Sequence, residues 1–209
     1  MSTRHILLSL VALGTAIVMH EYMHGWTAEK FGDPTARLAG RLTLNPLAHI
    51  DPVGSVFLPL ILIFIRSPFL IGWAKPVPVN FQALRNPKRD MIWVALAGPL
   101  TNIVLALIAS ILLRIGIVSP SSLLEKLLLN VIIINLILAV FNLVPIPPLD
   151  GSRILMGILP SHIAYRYSRL EPIGFFIVIF LFYLGFFSAI VLPIVSWLFN
   201  LFLGRGLGI

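Results

Sequence analysis

Apolar residues fall in long, nearly unbroken runs along this chain, separated by short polar segments. One crossing of a bilayer as a helix takes about 20 such residues. The first run, Ile6 to Trp26, fits one span, and a polar stretch follows from Thr27 to Asp51. The second, Val53 to Trp73, is interrupted by Pro59 and Pro68, while Met91 to Ile117 and Leu123 to Leu143 are cleaner. The last block, Ile173 to Leu203, is long for one span and short for two, with Pro193 inside it. This pattern predicts five or six transmembrane helices.

The intervening segments carry different signals. Ala36 to Leu44 mixes Gly and Thr with part-alternating Leu and Arg, which predicts a short strand or hairpin. Pro76 and Pro78 exclude a helix from Lys75 to Asn80 and favour an extended edge. The stretch from Pro145 to Gly151 must break a helix. Ser152 to Arg169 reads as interfacial and amphipathic. The expected fold class is an α-helical integral membrane protein with five or six transmembrane helices and short membrane-associated β segments, forming one domain over residues 1–209.

Composition supports this class. Only 11% of the 209 residues are charged against 58% hydrophobic, with a mean hydropathy of +1.00; a soluble domain carries about 25% charged residues. The implied location is a cell membrane, as a multi-pass protein. A net charge of +7 raises the question of nucleic acid. The cations lie in short segments between apolar runs, as in Arg85 to Arg89, so lipid head groups and orientation by positive loops explain them better. The first residues imitate a signal peptide, but no small-x-small cleavage site follows, so they read as a retained first span. The absence of cysteine excludes disulfides, Fe–S clusters and thiolate zinc sites. Any metal must use His, Asp or Glu.

Such a set lies at the end of the first run. His20, Glu21 and His24 form H-E-x-x-H. Positions i and i+4 share a helix face, so the two imidazoles can hold one Zn²⁺, with Glu21 beside them as a general base. An intramembrane Glu is costly and points to function. A catalytic zinc takes three protein ligands. Asp150, after three prolines and before Gly151, is a candidate third ligand; it is equally a candidate N-cap for the helix that begins near Ser152. His49 in its polar loop reads as structural, His162 as interfacial and His5 as solvated. Asn102 and Asn142 lie near span ends, where they bond neighbouring helices or contact substrate.

His20–His24, the stretch Asn45 to Gly54, Ala97-Gly98-Pro99-Leu100-Thr101-Asn102, and Asn142 to Gly151 occur in one order over about two-thirds of the chain. Together they resemble the site-2 protease family of intramembrane zinc metalloproteases, in a minimal form without a PDZ or CBS domain. The resemblance implies that His20, His24 and Asp150 bind one Zn²⁺ per chain and that Glu21 is the base. It implies a catalytic core over about 4–158, followed by hydrophobic helices at about 172–204, and a role in regulated intramembrane proteolysis. It favours substrate contact for Asn142. The implied partners are the bilayer and a transmembrane protein or peptide, which must unwind; Ala36–Leu44 and Pro76–Asn80 could then supply a strand edge. Homo-oligomerisation is left open.

Two other classes are weaker. A transporter predicts an internal repeat, and none is present. A di-iron lipid oxidase needs more than five His and one helical pair. Orientation is divided: loop charge counted along the expected spans favours a cytoplasmic N-terminus, whereas family analogy puts the site near the cytosol and the N-terminus outside.

Overall fold

A computed structural model describes residues 3–65 and 72–204. Three long helices form its centre: α1 (Thr3–Lys30), α4 (Pro87–Arg114) and α5 (Leu123–Asn142). All three pack against one another. Between α1 and α4 lie α2 (Thr35–Leu38) and α3 (Leu58–Phe64). After α5 come α6 (Asp150–Ile158), α7 (Ser161–Ser168), α8 (Glu171–Tyr183) and α9 (Leu192–Leu203).

The sequence explains the bundle. Lipid tails are as apolar as leucine, so burial of apolar area does not drive these helices together; close packing and hydrogen bonds do. Ala12, Ala16, Ala28, Ala95, Ala97, Ala106, Ala109 and Ala139 are all buried, which brings the backbones close. Large apolar side chains such as Leu10, Val104, Ile108 and Leu124 stay exposed. Buried polar bonds cross the seams: Asn102 Nδ2 donates to Asn135 Oδ1 at 2.8 Å, and Ser110 Oγ to the Phe202 carbonyl at 2.7 Å. A second apolar layer joins α4, α5 and α9 through Ala109, Ile132, Leu136, Val191, Val195 and Phe199.

Three expectations need correction. First, the described residues contain no strand. Within Ala36–Leu44, the chain makes the single turn α2 and then runs irregularly; Lys75–Asn80 is extended but joins no ladder. The cause is side-chain competition for the backbone. Arg41 donates to the carbonyls of Ala48, of Lys75 at 2.7 Å and of Pro76 at 3.3 Å. Glu21 and Asp33 accept the amides of Val77 and Asn80 at 2.7 and 2.6 Å. The groups a ladder would use are already bonded.

Second, α1, α4 and α5 are the helices long and apolar enough to cross a membrane, with a fourth span if α8 and the helical stretch Phe187–Leu203 count as one, bent by 71°. The described residues thus supply three or four spans, not the five or six expected. Third, the apolar run after Pro52 is a poor crossing. It makes a wide helical turn and then α3 up to Phe64. Its flanks are bonded together: Trp73 N–H donates to the Gly54 carbonyl at 3.2 Å, and Lys75 N–H to that of His49 at 2.9 Å. The chain leaves and returns at one end of the bundle. The expected break at Pro68 lies outside the described residues.

Candidate metal centre

His20 and His24 project from one face of α1 and are both buried, and their rings meet edge to face with centroids 4.6 Å apart. Their Nε2 atoms lie 3.0 Å apart. Asp150 is the first residue of α6, delivered by the proline-rich turn that follows α5. Its Oδ2 lies 3.1 Å from His20 Nε2 and 3.3 Å from His24 Nε2. No capping bond is made at this helix start, so the alternative of an N-cap is not the one the carboxylate adopts. Among the described residues these three form the group of His, Asp and Glu able to hold a metal ion.

Protons decide what the cluster can bind. Asn135 Nδ2 donates to the Val131 carbonyl at 2.8 Å, which leaves Asn135 Oδ1 to accept from Asn102 Nδ2. Asn102 Nδ2 also donates to the Ala16 carbonyl at 3.2 Å, so Asn102 Oδ1 faces His20 Nδ1 at 2.6 Å. That oxygen only accepts, so His20 Nδ1 carries a proton, and in the neutral ring Nε2 then holds the lone pair. His24 Nδ1 donates to the Val94 carbonyl at 2.7 Å, with the same result. Three lone-pair atoms therefore converge, and buried Asp150 Oδ2 receives no hydrogen bond. As neutral rings facing a carboxylate, the three atoms call for a cation between them. Edges of a tetrahedron around zinc, with bonds of about 2.0–2.1 Å, measure about 3.3 Å, close to the spacings seen. The donor set fits a divalent metal.

Gly98 explains part of the Ala97–Asn102 stretch. A Cβ at this position would meet His20 Cε1 at 2.6 Å and Nε2 at 2.7 Å, and would also press on His24 Nε2. Only glycine lets α4 approach the imidazoles so closely.

Beside the cluster lies a cavity of about 280 Å³ lined by Glu21, Val77, Phe81, Asn142, Pro148 and Arg153, among others. Glu21 borders it with Oε2 accepting from Val77 N–H. Asn142 faces it while Nδ2 donates to the Leu138 carbonyl at 3.0 Å. Asn102, in contrast, is fully buried and does not line the cavity; its amide serves His20 and the neighbouring helices. His49 is buried, with Nε2 bonded to the Thr43 carbonyl at 2.9 Å, and His162 is exposed on α7.

Sequence reasoning missed Arg153 and the Val77 amide. Arg153 lies three residues after Asp150, on the same face of α6, and that spacing is the signal. Its guanidinium pairs with Glu171 at 2.5 Å and covers the Phe81 ring at 5.2 Å. Tyr167 on α7 donates to the Pro145 carbonyl at 2.6 Å, tying α7 to the turn that presents Asp150; partial burial pushes its phenol up.

The profile of Peptidase family M50 matches residues 8–123 and 115–185. The chain belongs to peptidase family M50. This M50 peptidase is 36% identical over 194 residues to YwhC of Bacillus subtilis (strain 168), provisionally named a zinc metalloprotease, covering 90% of this chain and 85% of that one. Rip2 of Mycolicibacterium smegmatis, named likewise, is 30% identical over 185 residues, covering 88% of this chain and 70% of that one. Zinc metalloprotease MJ0392 of Methanocaldococcus jannaschii is 23% identical over 158 residues, covering 76% and 36%. No solved structure matches at a significant level. The M50 peptidase is thus a metalloprotease of the membrane, and its metal-ready cluster lies inside the matched region.

Proposed function

We propose that this chain is an intramembrane zinc endopeptidase that cleaves peptide bonds in or near transmembrane segments of membrane-protein substrates. One observation carries the reading: three atoms able to act as metal ligands converge beside a carboxylate, on a cavity near one end of a bundle of membrane-length helices. His20, His24 and Asp150 would hold the zinc. When bound, zinc supplies a Lewis acid for the scissile carbonyl and for the attacking water.

The chain's own residues do the rest. Glu21 keeps one carboxylate oxygen on Val77 N–H; its other oxygen takes a proton from the water and returns it to the leaving amine. Asn142 and Arg153 offer donors in the cavity to the substrate's carbonyl oxygens. His20 and His24 precede the end of α1 at Lys30 by ten and six residues, which puts the site about 9–15 Å from the end of the helix at 1.5 Å per residue. A substrate helix therefore needs to unwind only near its end to reach it. The catalytic core is assigned to about 4–158, with the helices at 172–204 completing one domain in a cell membrane.

The test compares the protein with Glu21→Gln in detergent and in vesicles, against a substrate carrying one transmembrane segment. Both forms should retain about one zinc by elemental analysis, and only the parent should cut. Cleavage by the Gln variant would remove Glu21 as the base.

A further inference from the structure

On a different face of α1 from the cavity beside the metal cluster, α1 and α4 leave an apolar groove of about 700 Å³. Met19, Met23, Trp26, Trp93, Leu100 and Val104 are among its walls. Its polar end is defined by Lys30, whose Nζ lies 5.3 Å from the centre of the Trp26 ring. The start of α4 is docked at that end. Arg85 N–H donates to the Phe31 carbonyl at 2.9 Å, and the Arg85 side chain lies against Gly32. Arg89 is one helical turn before Trp93 and so shares its face of α4. Arg85, Lys88 and Arg89 are all exposed.

The neighbouring acids leave this charge uncompensated. Glu29 is paired with Arg37. Asp33 is fully buried and accepts from Thr35 and the Asn80 amide. Asp90 is buried and accepts the Asn86 amide at 2.8 Å. Among the described residues, no ion pair engages Lys30, Arg85, Lys88 or Arg89.

We propose that this groove is a binding site for an anionic phospholipid, with one acyl chain lying along Met23, Trp93 and Val104 and the phosphate held by Lys30 and the basic segment 85–89. Two indole rings at the level where chain meets head group suit the bilayer interface. A cluster of four cations beside a bilayer selects anionic over zwitterionic lipid, by about fivefold per contacting Lys or Arg. The charge complementarity favours a lipid over a substrate helix as occupant. The groove stands apart from the metal cluster, so this assignment does not depend on the catalytic reading.

Fluorescence tests it directly. A Trp73→Phe, Trp197→Phe background keeps Trp26 and Trp93 as the emitters, and lipids brominated on the acyl chain quench indoles they touch. In neutral micelles, brominated phosphatidylglycerol should quench at about fivefold lower mole fraction, or better, than brominated phosphatidylcholine. High salt and Lys30→Gln with Arg89→Gln should erase the difference. Equal quenching by the two lipids would reduce the groove to ordinary lipid contact and overturn the proposal; the parent background decides this even if the charge variants fold poorly. Displacement of the quenching lipid by an equimolar hydrophobic transmembrane peptide would identify a helix-docking surface instead, and would overturn it equally.

Discussion

Asn102 fixes a proton it does not own. Its amide, oriented by Asn135 and Ala16, holds His20 as the tautomer with a free Nε2. Partners of this kind are worth about 10–100-fold in metal affinity, whereas the three interhelical hydrogen bonds of Asn102, at about 0.6 kcal/mol each, contribute about 2 kcal/mol of stability. Metal binding should therefore fail before the fold does. Asn102→Leu is expected to weaken zinc retention 10-fold or more in a chelator competition, with a Tm within several degrees of the parent's. Loss of fold without loss of metal affinity would refute this role. Gly98→Ala is the steric counterpart. Alanine is the better helix former by about 0.8–1.0 kcal/mol, but its Cβ collides with both imidazoles. A helical, folded protein with little zinc and no cleavage is the outcome expected from elemental analysis and circular dichroism. Of these residues His20, Glu21 and His24 were legible as a motif, because ligands on one helix keep a fixed spacing. Asp150 stood in an even contest with a cap, since nothing local says where a proline-broken turn points. The task of Asn102 was not legible, because it depends on which face of α4 meets α1.

Elements were legible in proportion to their length. α1, α4 and α5 were visible as apolar runs, and each ends within a few residues of a break in its run. The β expectation failed because alternation signals an extended chain without naming its partner. At 75–80 the partners are side chains: Arg41 holds two carbonyls of the segment, and Glu21 and Asp33 hold two of its amides. Arg41 is thus a clamp on the wall of the cavity beside the metal cluster. Replacing it with Met keeps the apolar stem and removes the donors. Arg41→Met should speed hydrogen exchange of the Val77 and Asn80 amides, seen in peptides over 75–84, and lower the cleavage rate with zinc content unchanged. Unaltered exchange would mean that the carboxylates alone hold the segment.

At the scale of the whole molecule, the bonds between the flanks of the second apolar run change the topology. Counted as a crossing, that run puts Lys30, Arg37 and Arg41 on one side of the membrane and Lys75, Arg85, Lys88 and Arg89 on the other, and loop charge then argues against the family analogy. The structure returns the chain to where it left. Phe31 bonds Arg85, Asp33 bonds Asn80, and Arg41 bonds Lys75 and Pro76. All seven cations lie at the metal-centre end, against Arg4, Arg114 and Lys126 at the other. The positive-inside rule then places the metal-centre end in the cytoplasm and the start of α1 outside, and the conflict with the family analogy disappears. Because the chain contains no cysteine, single-cysteine labelling can test this cleanly. Ala39→Cys and Gln82→Cys flank the run; Ser119→Cys sits in the α4–α5 loop. In intact cells a membrane-impermeant maleimide should label Cys at 119 and spare both 39 and 82, which should react after permeabilisation. Labelling of 39 and 82 from opposite sides would restore the run as a full span and return the charge argument to its divided state.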